Sequence, residues 1–243
     1  MFNSLREKGF EILAEHHAEA ILQHDMPEAI DEIEKALLMQ EFPVVELIRG
    51  GGGEGKFTQR LRKSLSESGL NKHNFEVLTT VDGVAKESRS HEVDHVKAYS
   101  GGTLALEIEW NNKDPFFDRD LENFKRLHAE GAISVGVIIT RGRSLHDNLQ
   151  MRIERFAVSN GIFDLDALSG YYVPTLRQRK NIERSVLING DFARGWSKVF
   201  VADKFGGPYQ AWRRQPLSAF THRFARCHSQ RLDCQLALRI AVG

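Results

Sequence analysis

EVDHVKAYSGGTLALEIEWNNKDPFFDRDLENFKRLHAEGAISVGVIITRG, residues 92–142, is the stretch on which the fold turns. HEVDHVKAY (91–99) and TLALEIEW (103–110) both read as strands, and Gly101–Gly102 lies between them, so 91–110 is predicted to form a β-hairpin. FFDRDLENFKRLHAEG (116–131) places Phe116, Phe117, Leu121, Phe124 and Leu127 at helical spacing, the pattern of an amphipathic helix. SVGVIIT (134–140) is apolar without a break, which suits a central strand covered on both faces.

Outward from this stretch, FEVLTTV (75–81) reads as a further strand and SLHDNLQMRIERFAV (144–158) as a further helix. KFTQRLRKSLSESG (56–69) reads as a basic helix ending at Gly69. Residues 3–24 have helical spacing, and 27–40 form a second helix with Pro27 at its first position. PVVELIR (43–49) is β-rich and runs into GGGGEG (50–55). After Gln215 periodicity is weak, which predicts a short helical cap or a poorly folded tail. The sum is an α/β fold, a mixed central β-sheet flanked by helices, with an N-terminal helical segment. One domain over 1–243 is expected: N-terminal helices 1–40, a core 41–215 and an atypical tail 216–243.

Of 243 residues, 41% are hydrophobic and 27% charged, enough apolar surface to bury a core and exclude a disordered tail. No run of about 18 apolar residues occurs, and MFNSLREKGFEILAEHH is too charged for a signal peptide, so no membrane association and a cytoplasmic location are expected. Two cysteines, Cys227 and Cys234, make no disulfide framework. The net charge of zero hides an asymmetry of about −9 over 1–140 and about +9 over 141–243. That permits one basic face for a polyanion and excludes a chain that coats polyanions everywhere.

The strongest candidate site is Asp94 with Glu107 and Glu109. Residues two apart on a strand share a face, so Glu107 and Glu109 project together, about 6–7 Å apart, while Leu106, Ile108 and Trp110 project oppositely. The hairpin brings Asp94 beside Glu107. Three carboxylates on one patch repel, and a hard divalent cation such as Mg²⁺ relieves that repulsion. Alternating Glu is also common on a solvated strand face, and pattern alone leaves both readings open.

Gly50-x-x-x-x-Gly55-Lys56 approaches a phosphate-binding loop, but Phe57 stands where Ser or Thr would bind the cation, which argues against a nucleotide triphosphatase. The glycines let backbone approach phosphate instead, with Lys56, Gln59, Arg60, Arg62 and Lys63 near a nucleic-acid backbone; a solvated basic helix fits as well. His222, Cys227, His228 and Cys234 lack the spacing of a zinc site.

Strand D…ExE, an Asn-rich loop, a helix and an apolar strand ending in Thr140-Arg141-Gly142 resemble type II restriction endonucleases of the BglII/BstYI branch, related to BamHI. These belong to the PD-(D/E)xK superfamily. Glu109 stands where the commoner motif has Lys; BamHI is similar in having ExE, and BglII has ExQ. The resemblance is clear over 92–142, weaker over 43–70 and 195–207, and absent after 215.

The resemblance implies a restriction-endonuclease-like core and Mg²⁺-dependent cleavage of double-stranded DNA by a homodimer, with a cognate DNA methyltransferase encoded separately. Asp94 and Glu107 become metal ligands, Glu109 activates water or binds metal, and Glu54 is a candidate for a further upstream ligand. Asn111, Asn112 and Lys113 fall where the family places DNA contacts, and Asn can pair bidentately with adenine. Arg141 and Arg143 follow the apolar strand, with guanine or phosphate as partners. VFVADKFGG (199–207) looks like a DNA-contacting loop, with Asp203 and Lys204 as candidates. Family members tend to finish with an apolar strand, and FTHRFARCHSQRLDCQLALRIAVG (220–243) predicts an altered C-terminus. A DNA-binding but inactive relative, and a non-specific or repair nuclease of this fold, are the alternatives.

Overall fold

The computed structural model describes residues 1–49, 54–109, 114–205 and 237–242. The elements in chain order are α1 (Asn3–Glu7), β1 (Glu11–Ala14), α2 (Ala18–His24), α3 (Pro27–Leu38), α4 (Val44–Ile48), α5 (Lys56–Glu67), β2 (Asn71–Val81), β3 (Val84–Tyr99), β4 (Gly102–Glu109), α6 (Asp114–Ala129), β5 (Val135–Arg141), α7 (Arg143–Ser159), α8 (Leu165–Ser169), α9 (Leu176–Asn189), α10 (Phe192–Phe205) and β6 (Ala237–Val242). They divide into two compact units. The first comprises 1–40, 58–142 and 217–243; the second comprises 41–57 and 143–216.

The first unit holds a six-stranded sheet in the order β1-β6-β5-β4-β3-β2 among the described residues. β5 is parallel to β4 and β6, and the other pairs are antiparallel, so the sheet is mixed. Five consecutive residues of β5, Val135–Ile139, are buried, as an unbroken apolar run demands. Parallel neighbours need a crossover, and α6 supplies it between β4 and β5. That helix lies close on the sheet: a Cβ at Gly136 would stand 2.5 Å from the Phe124 ring.

α3 begins with Pro27, whose fixed φ suits a first turn, and buries Ala29, Ile33, Ala36 and Leu37 along one face. Glu32 on its other side accepts from Lys97 Nζ and, at 2.7 Å, from Tyr99 Oη, tying α3 to β3. β2 and β3 run on beyond the sheet as a long ribbon. Val81 pairs with Val84 across Asp82-Gly83, whose φ angles of 52° and 76° are the left-handed pair that a two-residue hairpin turn needs.

In the second unit, Ile48, Leu149, Ile153, Ala157, Ile162, Leu168, Ile182, Ala193, Trp196 and Phe200 form one apolar cluster. α9 opens on a capping box, with Thr175 and Gln178 satisfying each other's backbone N–H groups, and stops at Gly190, φ 69°.

Four expectations need correction. Residues 3–24 are not one helix. Gly9 and the left-handed His16 and His17 break it, and β1 lies between, paired with β6 from the other end of the chain. PVVELIR is helical, not a strand: Val44–Ile48 form α4, whose Ile48 is buried in the second unit's core, and this packing overrides the β preference of its branched residues. Residues 199–205 continue α10 and are not a loop. The chain also does finish in a strand: β6 sits between β5 and β1.

Candidate active site

The β3–β4 hairpin builds the site. Its register pairs His95 with Leu106 and Val96 with Ala105, which sets Asp94 across from Glu107. The backbone N–H of Asp94 donates to Glu107 Oε1 at 3.3 Å. Asp94 itself accepts from Arg62 of α5 at 3.1 Å, through Oδ2. Glu109, 7% exposed, closes β4, and its carbonyl accepts from Thr140 Oγ1 at 2.9 Å, fastening the carboxyl ends of β4 and β5 together. His95 points away from Asp94 by strand alternation and is fully buried; burial pushes its imidazole down to about 4.

Glu107 is where the charges meet. Burial pushes its carboxyl up to about 8, and the charges of Asp94, Asp120 and Glu109 push the same way, while the Asp94 N–H opposes them. Asp120 was not among the residues expected from sequence. It lies on α6, is 3% exposed and pairs through Oδ1 with Arg119 at 2.9 Å. The signal that could have found it is its spacing. Asp120 stands at i, Phe124 at i+4 and Leu127 at i+7, so a carboxylate occupies the apolar stripe of an amphipathic helix.

Asp94 therefore faces Glu107 across the hairpin, with Glu109 two residues further along β4. Among the described residues, no three His, Cys, Asp or Glu side chains stand closely enough to hold a metal ion as they are now arranged. The donor set nonetheless suits a hard divalent cation. It consists of carboxylate oxygens, and the crowding that raises Glu107 is the repulsion a cation offsets.

Glu54 and Lys56 are exposed at the start of α5 and belong to the second unit, whereas half-buried Arg60 belongs to the first. Arg141 is half-buried at the end of β5. Arg143 opens α7, but its side chain lies outside the described residues, as do Asn111, Asn112, Lys113, His222, Cys227, His228 and Cys234. Asp203 and Lys204 sit in the last turn of α10. Asp203 accepts from Gln178 Nε2, and Lys204 lies 6.0 Å from the Tyr172 ring centroid. The glycine segment is flanked by α4 and α5, so it lacks the preceding strand of a phosphate-binding loop.

A family model described as restriction endonuclease BglII/BglIII matches residues 10–214, more than four-fifths of the chain. The chain belongs to this family of restriction endonucleases. As a BglII/BglIII-type enzyme it is a type II site-specific deoxyribonuclease acting on double-stranded DNA, and enzymes of this kind are generally dependent on a divalent metal. No curated protein matches the chain. No helix among the described residues is long and apolar enough to cross a membrane. The mixed sheet flanked by helices is the α/β restriction-endonuclease-like architecture the family implies.

Proposed function

We propose that this restriction endonuclease cuts both strands of a palindromic site as a homodimer, with Mg²⁺ held by Asp94 and Glu107 and the attacking water activated by Glu109. The observation that carries the reading is the crowding at Glu107, where Asp94, Asp120 and Glu109 all act on one half-buried carboxyl. The cation, when bound, supplies Lewis-acid polarisation of the scissile phosphate and neutralises its developing charge.

The chain's own groups do the remainder. Asp94 and Glu107, facing each other across the hairpin, would hold the cation. Glu109, buried at the end of β4, accepts the proton of the attacking water. The water oxygen forms its bond to phosphorus in line with the sugar oxygen that departs. Glu109 fills the position that Lys holds in the commoner motif, so the base here is an anion. Each protomer cuts one strand, because a two-fold protein matches a two-fold site. Asn111 and Asn112 read base edges, and Lys56 and Arg60 hold backbone phosphate. Residues 1–243 work as one nuclease domain, and a separately encoded methyltransferase protects the same site.

Digestion of a sequenced plasmid at low salt tests this, with Mg²⁺ or with EDTA, beside Glu107→Ala. Discrete fragments are expected only from the unaltered protein with Mg²⁺, and their ends give the site. Cleavage by Glu107→Ala at the unaltered rate would overturn the assignment, and a smear would overturn the site specificity.

A further inference from the structure

The buried acid on α6 extends the same site by one residue, and the inference rests on the reading just given. Asp120 occupies a stripe whose other members, Phe124 and Leu127, are apolar and buried. Packing a helix on a sheet does not call for a carboxylate there, and an isolated buried charge is strongly disfavoured. Arg119 satisfies only half of it: the guanidinium meets Oδ1, and the arginine side chain is itself 58% exposed. Oδ2 is shut off from solvent, and no donor reaches it among the described residues. A buried acceptor of this kind ordinarily has a partner, from the protein or from ordered water. α6 packs against β4, the strand that carries Glu107 and Glu109.

We infer that Asp120 is a positioning residue of the cation site: its Oδ2 takes a hydrogen bond from an ordered water at the α6–β4 contact, and its charge favours a cation at the carboxylates of β4. It is not itself a ligand. Two features support this division. Asp120 comes from the helix and not from the hairpin that carries the candidate ligands. One of its oxygens is already committed to Arg119. Groups in such an outer position fix the orientation and charge of the ligands they back, and losing one typically costs about 10–100-fold in metal affinity.

The test is cation affinity measured without cleavage. Full-length protein is titrated with Ca²⁺ in the absence of DNA by calorimetry, and its thermal midpoint is followed against Ca²⁺ concentration. Asp120→Asn is expected to weaken Ca²⁺ binding about 10–100-fold while leaving the metal-free midpoint unchanged or higher, because a half-satisfied buried charge is gone. Asp120→Leu completes the apolar stripe and is expected to show the same loss of affinity in a well-folded protein. Asp120→Glu, which keeps the charge, is expected to recover part of the affinity. Asn and Leu variants that bind Ca²⁺ as tightly as the unaltered protein would overturn the inference and leave the hairpin's own site standing. Unaltered protein that takes up neither Ca²⁺ nor Mg²⁺ would overturn the site itself.

Discussion

Burial and three neighbouring carboxylates hold Glu107 protonated at neutral pH in the metal-free protein, since its carboxyl is pushed up to about 8. An unfolded glutamate releases its proton near 4.5. Between these values the native state binds more protons than the unfolded state, so stability falls as pH rises through the window. Glu107→Gln keeps the shape and removes the titration. In metal-free protein its advantage over the unaltered chain is expected to be smallest near pH 5 and to grow to a few kcal/mol near pH 9. Denaturant unfolding at several pH values measures this, and an advantage that stays flat with pH would contradict it. Cation binding must also displace that proton, so it tightens as pH rises toward 8. These residue-scale properties were half legible in the sequence. Strand alternation put Glu107 and Glu109 on one face, and the hairpin put Asp94 beside them. Asp120 is hidden within a helix pattern, because apolar spacing alone does not single out an acid on the same stripe.

At the scale of elements, the β3–β4 hairpin, α6 and β5 carry the proposed site. The helix brings Asp120 in from one side, and the hairpin brings the other three acids. Gly136 sets how closely α6 lies on β5, because any side chain there would overlap the Phe124 ring at 2.5 Å. Gly136→Val is expected to destabilise the protein by about 1–3 kcal/mol or more through overpacking. It should also lower cleavage by displacing α6, and thermal unfolding beside a plasmid assay reads both. Undiminished stability and rate would show that the helix–sheet contact is looser than the glycine suggests. The hairpin, α6 and β5 were each visible as patterns because their periodicity is local. α4 was misread for a physical reason: five residues with three β-branched side chains carry little periodicity, and the second unit's core decides their conformation.

For the whole molecule, the consequential pairing joins the two ends of the chain. β6 fills the place between β5 and β1, parallel to the first and antiparallel to the second. Without it β1 has no partner in the sheet among the described residues, and β5 becomes an edge with an unbroken apolar face. A chain ending at residue 236 is therefore expected to lose cooperative unfolding or to aggregate, as circular dichroism melting and light scattering would show. A truncated chain with an unchanged melting transition would mean that β6 contributes little. The charge asymmetry, about −9 over 1–140 and about +9 over 141–243, also belongs to this scale. It gives a neutral chain the basic segment a DNA enzyme needs.

The amino-acid sequence by itself determined the α/β class, the strand–helix–strand core over 92–142, the facing of Asp94 and Glu107 across the hairpin and the family resemblance. All of these rest on periods and spacings within a few dozen residues. Only the tertiary structure decided that Glu11–Ala14 is a strand, that Ala237–Val242 is another, that Val44–Ile48 is a helix and that the charge of buried Asp120 reaches Glu107. Each of those depends on a partner far away in the sequence: β6 for β1, the second unit's core for α4, and the β3–β4 hairpin for Asp120. Local preference is weak beside burial and strand pairing, so where distant partners supply those, the short-range pattern yields.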